Sequence, residues 1–291
     1  MVGFHTAQLD AQAITVDTRE MRSGIADLLW KLWYPLLTRL SRGAPVVFLN
    51  YGYAESGPQA AIPILSPEDE PDRPCIQLYD SVVRPIPLRD LHVLEVSCGH
   101  GGGASYIARY FKPTSMHGVD RNLAAIKLCQ QRHRVKGLSF CQGDALSLNF
   151  ADQSFDAVVN VEASHCYPDM PRFLHEVVRV LRPGGHFLYA DFRKINPDRA
   201  VLRRQLEESG LEVIACEDIS PSVVRGMELN TDKYLMLIKQ LVPAFLRKPA
   251  MRFAGVPGSP IYKELISGET VYMRYVLRKG PLTQTPSPLR S

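Results

Sequence analysis

Two acidic residues and a histidine stand where they could move a proton. Glu162 and His165 follow the apolar run at residues 155–161, and Asp191 ends the next apolar run. An imidazole titrates near neutral pH and can accept a proton from a hydroxyl nucleophile. His165 is therefore a candidate general base, and Asp191 is a candidate to orient the imidazole or to hold the substrate hydroxyl. Glu162 is a second candidate for proton removal.

A glycine-rich segment precedes these residues. Residues 93–96 form an apolar run that contains Glu95, and glycines follow at positions 99 and 101–103. A glycine turn after a strand lets the backbone approach a ligand, and the N–H groups of the following helix, predicted over residues 104–111, point back at it. Asp120 comes about 20 residues later, where an acidic side chain would hold a ribose diol. The pattern predicts a nucleotide-type cofactor site.

The elements that must position these residues alternate between strands and helices. Strands are predicted at residues 116–120, 138–143 and 155–162, and a helix at residues 170–180. If the sheet is parallel, the carboxyl ends of its strands face one crevice. The glycines fit the dinucleotide fingerprint poorly, because they occupy positions where a pyrophosphate loop normally has side chains. The segment is therefore less typical of a dehydrogenase.

Four motifs stand in order between residues 91 and 192. They are Glu95-x-Ser97-x-Gly99-x-Gly101, Asp120, Gly143-Asp144-Ala145 and Leu181-Arg182-Pro183-Gly184-Gly185. Together they resemble the motifs of the class I S-adenosylmethionine-dependent methyltransferases, with Ser97 in place of the first glycine. The resemblance implies an α/β fold with a doubly wound, mostly parallel, seven-stranded Rossmann-like sheet, and S-adenosyl-L-methionine as the cofactor. In that family the acid that matches Glu95 interacts with the methionine part of the cofactor.

The resemblance also gives a set of expected cofactor-binding residues. They are Glu95, Ser97, Gly99, Gly101, Asp120, Arg121, Asp144, Ala145, Asn160, Tyr51 and Tyr53. In related methyltransferases an N-terminal aromatic residue lies over the cofactor, which makes Tyr51 or Tyr53 a candidate lid. The alternative is that either tyrosine only anchors its segment on the core.

A more specific resemblance covers most of the chain. Residues 33–36, 94–106, 161–168, 243–247 and 268–269 resemble the phthiotriol/phenolphthiotriol dimycocerosate methyltransferases, which are O-methyltransferases of long-chain lipid alcohols. Glu162-x-x-His165 and Asp191 also resemble the sugar O-methyltransferases of natural-product pathways. The resemblance thus indicates a transferase more firmly than it indicates a substrate.

Length and composition suit one doubly wound domain with additions. The 291 residues are 45% hydrophobic, enough for a sizeable core. We predict an N-terminal helical cap and linker (1–75), a cofactor-binding core (76–217), a substrate-cap insertion (218–268), a closing strand (269–280) and a disordered tail (281–291). Within these, the proline-rich stretch at 58–74 and residues 249–260 are expected to be irregular, and residues 220–246 helical.

Charge and cysteine content exclude several classes of protein. The formal net charge is +4, with no long basic run, so we expect no nucleic-acid partner. The six cysteines lack C-x-x-C spacing, which favours reduced thiols and a cytoplasmic location. No apolar stretch approaches the ~20 residues of a membrane span. No cluster has metal-ligand spacing, so we expect catalysis without a metal ion.

An amphipathic helix with a kink at Pro35 is predicted over residues 21–42. Its apolar face would close over the core or over the mouth of the active site. In the alternative, Trp30, Trp33 and Tyr34 would touch a membrane surface and collect a lipid from it. The sequence leaves peripheral membrane contact and the oligomeric state open.

Three functions are compatible with these residues. The first is O-methylation of a hydroxyl group on a lipid or another hydrophobic metabolite, with His165 as the base. The many Leu, Met and Phe residues of the insertion favour such a hydrophobic acceptor. The second is methylation of carbon in a prenyl or sterol-like alkene, or of nitrogen, and the third is a non-catalytic lipid- or cofactor-binding protein.

Overall fold

The computed structural model describes residues 46–57 and 62–281. The helix predicted over residues 21–42 and nearly all of the predicted tail lie outside the described residues. All six cysteines lie inside them and are free. None of the helices in the described part of the chain has the length and apolarity needed to cross a membrane.

Seven strands form one sheet in the order β3-β2-β1-β4-β5-β7-β6. Their bounds are β1 His92–Val96, β2 Ser115–Asp120, β3 Leu138–Gln142, β4 Phe155–Val161, β5 Leu181–Lys194, β6 Leu211–Asp218 and β7 Thr270–Lys279. The first five pair in parallel, and β7 runs antiparallel between β5 and β6. The predicted doubly wound, mostly parallel sheet is confirmed. The strand order reverses between β1 and β4, which opens a crevice at their carboxyl ends.

Eight α-helices accompany the sheet in the described residues. They are α1 Arg73–Val83, α2 Gly102–Tyr110, α3 Leu123–Arg132, α4 Met170–Val180, α5 Ala200–Glu208, α6 Ser220–Leu241, α7 Arg247–Phe253 and α8 Pro260–Ser267, with 3-10 turns at Glu70–Asp72, Ser164–Cys166 and Ala244–Leu246 and a kinked turn at Ile195–Arg199. Side-chain caps determine where some of these helices begin. Asp169 Oδ1 accepts from Arg172 N at 2.9 Å, which fixes the N-terminus of α4 at Met170, as predicted.

Prolines account for the main errors in the predicted elements. Residues 249–260 are not irregular throughout, because Pro249 lies in the first turn of α7 and Pro260 begins α8. Pro74 likewise lies in the first turn of α1, so the proline-rich stretch ends as a helix and the predicted boundary at residue 75 falls inside α1. The first N–H groups of a helix have no partner within it, so a proline there removes no hydrogen bond.

One further predicted bound is wrong. The helix predicted over residues 220–246 ends at Leu241, two residues before Pro243. The motif at residues 181–185 lies within the bounds of β5, where an irregularity shifts the register from Phe155↔Leu181 to Ala157↔His186. Gly184, with φ +80°, makes that shift possible.

Helix α6 holds the segment of Tyr51 against the core through a close backbone approach. A Cβ on Gly226 would lie 2.3 Å from Tyr53 N and 2.4 Å from Gly52 C, and backbone atoms cannot rotate away. We expect Gly226→Ala to destabilise the protein by about 1–3 kcal/mol, more than the gain in helix propensity offsets. Thermal unfolding measures this, with Gly280→Ala, which meets open space, as the control. Equal melting temperatures for the two variants would contradict the packing argument.

Candidate active site

The glycine-rich loop leaves β1 through left-handed backbone conformations. Ser97, Gly99 and Gly101 have φ of +61°, +56° and +80°. A non-glycine residue seldom adopts such a φ, and a local hydrogen bond can compensate for it. Ser97 Oγ lies 2.6 Å from the hydroxyl of Tyr167, so the residue that departs from the glycine pattern fastens the loop to the segment after β4.

Glu95 lies buried beneath this loop, only 1% exposed. Its Oε1 accepts a hydrogen bond from the hydroxyl of Tyr79 at 2.6 Å, and a Cβ on Gly103 would come within 2.7 Å of that same oxygen. Burial raises the pKa of Glu95 to about 8, against the hydrogen bonds from Tyr79 and from the backbone of Ala104, which lower it. Its Oε2 has no hydrogen-bond partner within the described part of the chain.

Asp120 ends β2 and supports the loop from the other side. Its Oδ2 accepts from Gly99 N at 2.9 Å and its Oδ1 from Asn122 N at 2.8 Å. Burial raises the pKa of Asp120, and these two backbone hydrogen bonds oppose the rise. A carboxylate offers about four acceptor positions, so Asp120 can still bind a ligand's hydroxyl groups. Arg121 follows with an exposed side chain.

Asp144 and Ala145 stand after β3, the strand paired with β2. Asp144 Oδ1 accepts from Leu146 N at 2.9 Å, which shapes a tight turn closed by a bridge to Ser147. Ala145 is buried in the apolar cluster on that side of the sheet. The structure therefore brings the Asp144 turn to the same edge as Asp120, as the strand order requires.

Asn160 supplies a second buried acceptor. It is fully buried on β4, and its Nδ2 donates to Val96 O and to the hydroxyl of Tyr167, both at 2.9 Å. Its Oδ1 has no partner within the described residues. Since both donated bonds come from the amide nitrogen, Tyr167 and Val96 fix which way the amide points.

His165 and Asp191 form a directly hydrogen-bonded pair. His165 Nδ1 lies 2.9 Å from Asp191 Oδ1, and His165 N donates to Asp191 Oδ2 at 2.8 Å. Ser164 Oγ donates to Asp191 Oδ2 at 2.7 Å, and Arg193 Nη1 lies 3.1 Å from it. Because Nδ1 is engaged, Nε2 is the ring nitrogen left for a ligand. This is the arrangement of a base held by an orienting carboxylate.

The contact between His165 and Asp191 shifts the pKa values of both side chains. Burial lowers the pKa of His165, but the charge of Asp191 and the hydrogen bond to it outweigh that effect and raise the pKa to about 10. Burial raises the pKa of Asp191. The charges of His165 and Arg193 outweigh this effect and hold the pKa well below its usual range. The neutral imidazole is therefore a strong proton acceptor.

Glu162 lies beside this pair in a strained backbone position. Its φ is +52°, and its Oε2 accepts from Tyr51 N and from the hydroxyl of Tyr272, both at 3.1 Å. Burial raises the pKa of Glu162 to about 8, while the Tyr51 hydrogen bond and the charge of His165 lower it. Strained residues cluster at functional sites, which agrees with its place at the end of β4.

The two candidate lid tyrosines differ in position. The ring of Tyr51 lies 5.8 Å from that of Phe192, whose ring is 4.3 Å from the imidazole of His165. Tyr53 is 5% exposed in the main apolar cluster, and its hydroxyl donates to Glu55 at 2.8 Å. Tyr51 thus belongs to the aromatic group around His165, whereas Tyr53 packs as an anchor.

Comparison with known proteins identifies the family. A model described as a methyltransferase domain matches residues 94–189. The phthiotriol/phenolphthiotriol dimycocerosates methyltransferase of Mycobacterium tuberculosis (strain ATCC 25177 / H37Ra) is 47% identical over 251 residues, 86% of this chain and 92% of that protein. The chain belongs to the S-adenosylmethionine-dependent methyltransferases. The methyltransferase is also 45% identical to a fatty-acid O-methyltransferase of Mycolicibacterium smegmatis, over 88% and 91% of the two chains.

A solved structure supports the fold of the methyltransferase. The crystal structure of the [4+2]-cyclase SpnF aligns with a TM-score of 0.65 and 22% identity, covering 86% of this chain and 94% of that one. That protein is titled a cyclase, so the shared fold by itself does not fix the reaction.

The residues of the methyltransferase fit its cofactor, S-adenosyl-L-methionine. Glu95 Oε2 and Asn160 Oδ1, on the paired strands β1 and β4, are both buried acceptors without a partner among residues 46–57 and 62–281. A buried unpaired acceptor is unfavourable, so a ligand that brings N–H donors, such as the ammonium group of the methionine part, would satisfy both. Among residues 46–57 and 62–281 no group of three His, Cys, Asp or Glu could hold a metal ion.

Some residues of this methyltransferase site were missed by the sequence interpretation. Tyr79, which donates to Glu95, lies on a helix 16 residues upstream with no motif around it. Phe192 and Arg193 directly follow Asp191 and could have been found by extending the strand-end argument by two positions. Tyr272, which donates to Glu162, lies on β7, and the signal that would place it is the antiparallel pairing Phe192↔Tyr272.

Proposed function

We propose that this methyltransferase methylates a hydroxyl group on a hydrophobic, lipid-like acceptor. The observation that carries the proposal is the His165–Asp191 pair, which joins the turn after β4 to the carboxyl-terminal part of β5. A hydroxyl must lose its proton as the C–O bond forms, which calls for a base. A fatty-acid carboxylate is already ionised and needs none, so the pair favours a hydroxyl acceptor over the carboxyl acceptor in the name of one relative.

Each group at the site has a distinct task in this proposal. S-adenosylmethionine supplies the electrophilic methyl group. Glu95, Asn160 and Asp120 hold that cofactor, and the glycine-rich loop packs against it. His165 Nε2 takes the proton of the acceptor hydroxyl, while Asp191 holds the ring through Nδ1 and stabilises the imidazolium. Positioning the hydroxyl contributes much of the rate, on the order of 7–11 kcal/mol when both partners are well oriented.

Methylation of carbon is the second candidate, and the aromatic group supports it. Tyr51 N and the hydroxyl of Tyr272 donate to Glu162. The ring of Phe192 lies 5.8 Å from that of Tyr51 and 6.1 Å from that of Tyr272. Aromatic faces stabilise a cation, and Glu162 could take up the proton that an alkylated alkene must lose.

Product analysis separates these reactions. The protein is incubated with cofactor carrying a deuterated methyl group and with three acceptors of similar chain length, namely a secondary alcohol, a fatty acid and a prenyl alkene. We expect the label in a methyl ether of the alcohol, located by mass spectrometry. Label in a methyl ester alone, or on carbon alone, would overturn the hydroxyl proposal.

The pH dependence follows from the His165 pKa, which is raised to about 10. Protonated His165 cannot accept a proton, so kcat/KM should rise about tenfold per pH unit between pH ~6 and ~9. Asp191→Asn removes the charge that stabilises the imidazolium, so the pKa falls and the rising limb moves to lower pH. Rate measurements across this range test it, and a profile that is flat from pH ~6 upward would contradict it.

A further inference from the structure

The segment from the second half of α6 to the start of α8 carries an unusual charge distribution. Residues 234–263 contain five Lys or Arg and no Asp or Glu. The cations are Lys239, Arg247, Lys248, Arg252 and Lys263. Within the described part of the chain none of them has a carboxylate at ion-pair distance, unlike Lys233, which pairs with Asp72. We call the C-terminal turn of α6, the Ala244–Leu246 turn and α7 the basic tip.

The basic tip is held in shape by its own contacts. Ile238, Val242 and Ala250 form a small buried cluster separate from the two clusters of the sheet. Arg247 Nη2 donates to Lys239 O at 3.0 Å, and its Nε donates to Val242 O at 3.1 Å. These bonds fasten the start of α7 to the end of α6. Lys248 and Arg252, four residues apart, then lie on one exposed face of α7.

An apolar side chain projects from this positive surface. Phe245 is 80% exposed, and Met236, three residues before Lys239 on α6, is 52% exposed. The insertion therefore does not use all its apolar residues to line the crevice. An exposed phenylalanine beside unpaired cations is the combination that binds an anionic bilayer, because the ring enters the interface and the cations meet the headgroups.

We propose that the basic tip docks the protein on an anionic phospholipid bilayer, with Phe245 inserted and Lys248 and Arg252 against the headgroups. The basic tip is followed directly by a residue that packs against the candidate active site. Gly255, two residues after α7, lies so near Tyr51 that a Cβ on it would be 2.7 Å from the ring. An acceptor dissolved in the bilayer could then reach the aromatic group around His165 by a short path.

Vesicle co-sedimentation of the full-length protein tests the proposal without cofactor or acceptor. A failure of the docking proposal is therefore distinguishable from a failure of the proposed reaction. Vesicles contain phosphatidylcholine alone or mixed with phosphatidylglycerol. We expect binding to the anionic vesicles, weakened by salt. Binding should be at least about 30-fold weaker for K248E/R252E, which loses two cations that each contribute about 1 kcal/mol. F245S should also weaken it. The matched control is K127E/K136E, on α3 and the following loop beside the far edge strand β3.

The variants must remain folded for the comparison to count. We expect their melting temperatures, and their turnover of a water-soluble short-chain alcohol, to match the unmodified protein. Unchanged vesicle binding in both K248E/R252E and F245S would overturn the proposal, as would an equal loss in K127E/K136E. A dimer in size-exclusion chromatography that F245S dissociates would assign the tip to a second copy of this chain instead.

Discussion

Replacing His165 with alanine should lower kcat for methyl transfer to a hydroxyl acceptor by about 10²–10⁴-fold, the usual contribution of a general base. His165 Nδ1 is bonded to Asp191 Oδ1 at 2.9 Å, so the ring is fixed with Nε2 available to the acceptor. The residues proposed to hold the cofactor, Glu95, Asp120 and Asn160, make their hydrogen bonds to Tyr79, Tyr167 and backbone groups, and none of these bonds involves His165. The variant should therefore bind S-adenosylmethionine with a Kd within about threefold of the original, measured by titration calorimetry.

Two comparisons make this result specific. His175→Ala removes an exposed histidine from α4 and should leave kcat unchanged. Asp191→Asn should also lower kcat strongly, because an amide cannot stabilise the imidazolium and its nitrogen would donate to Nδ1, which leaves the ring proton on Nε2. An H165A protein that keeps full turnover would exclude His165 as the base and would favour Glu162, whose pKa of about 8 lies nearer neutral pH than that of His165.

The sequence was sufficient to predict that His165 and Asp191 lie close together, because this prediction requires only that parallel strands end at one edge of the sheet. Phe155–Val161 and Leu181–Lys194 are adjacent in the sheet, so residues that follow one lie near residues that end the other. The same argument brought together Glu95, Asp120 and Asp144. Strand ends are local features of the chain, and the order of the strands in the sheet brings the residues at those ends together.

Contacts that depend on side-chain packing could not be predicted in this way. Tyr167 enters the sequence analysis only within the range 161–168, yet its hydroxyl contacts both Ser97 and Asn160 and so fixes the direction of a buried amide. That arrangement depends on distances of less than 3 Å between three separate segments, which no periodicity encodes.

Replacing Glu95 with glutamine should weaken binding of S-adenosylmethionine by about 10–150-fold, the equivalent of one charge-assisted hydrogen bond of about 1.5–3 kcal/mol. Glutamine keeps the shape and can still accept from Tyr79. It removes the negative charge at Oε2, the buried oxygen without a partner in the described residues. Glu208→Gln, on an exposed position of α5, is the matched control and should leave the Kd unchanged.

The pH dependence of binding separates a charge effect of Glu95 from a merely structural one. Burial raises the pKa of Glu95 to about 8, so the carboxyl is largely protonated below that pH and attracts a cationic ligand less. Affinity for the cofactor should therefore increase as pH rises through about 8, and this increase should disappear in the E95Q protein. If E95Q binds as tightly as the original at every pH, the carboxylate does not contact the cofactor. A lower affinity that keeps the original pH dependence would mean that the substitution acts through the packing of Tyr79 and Gly103.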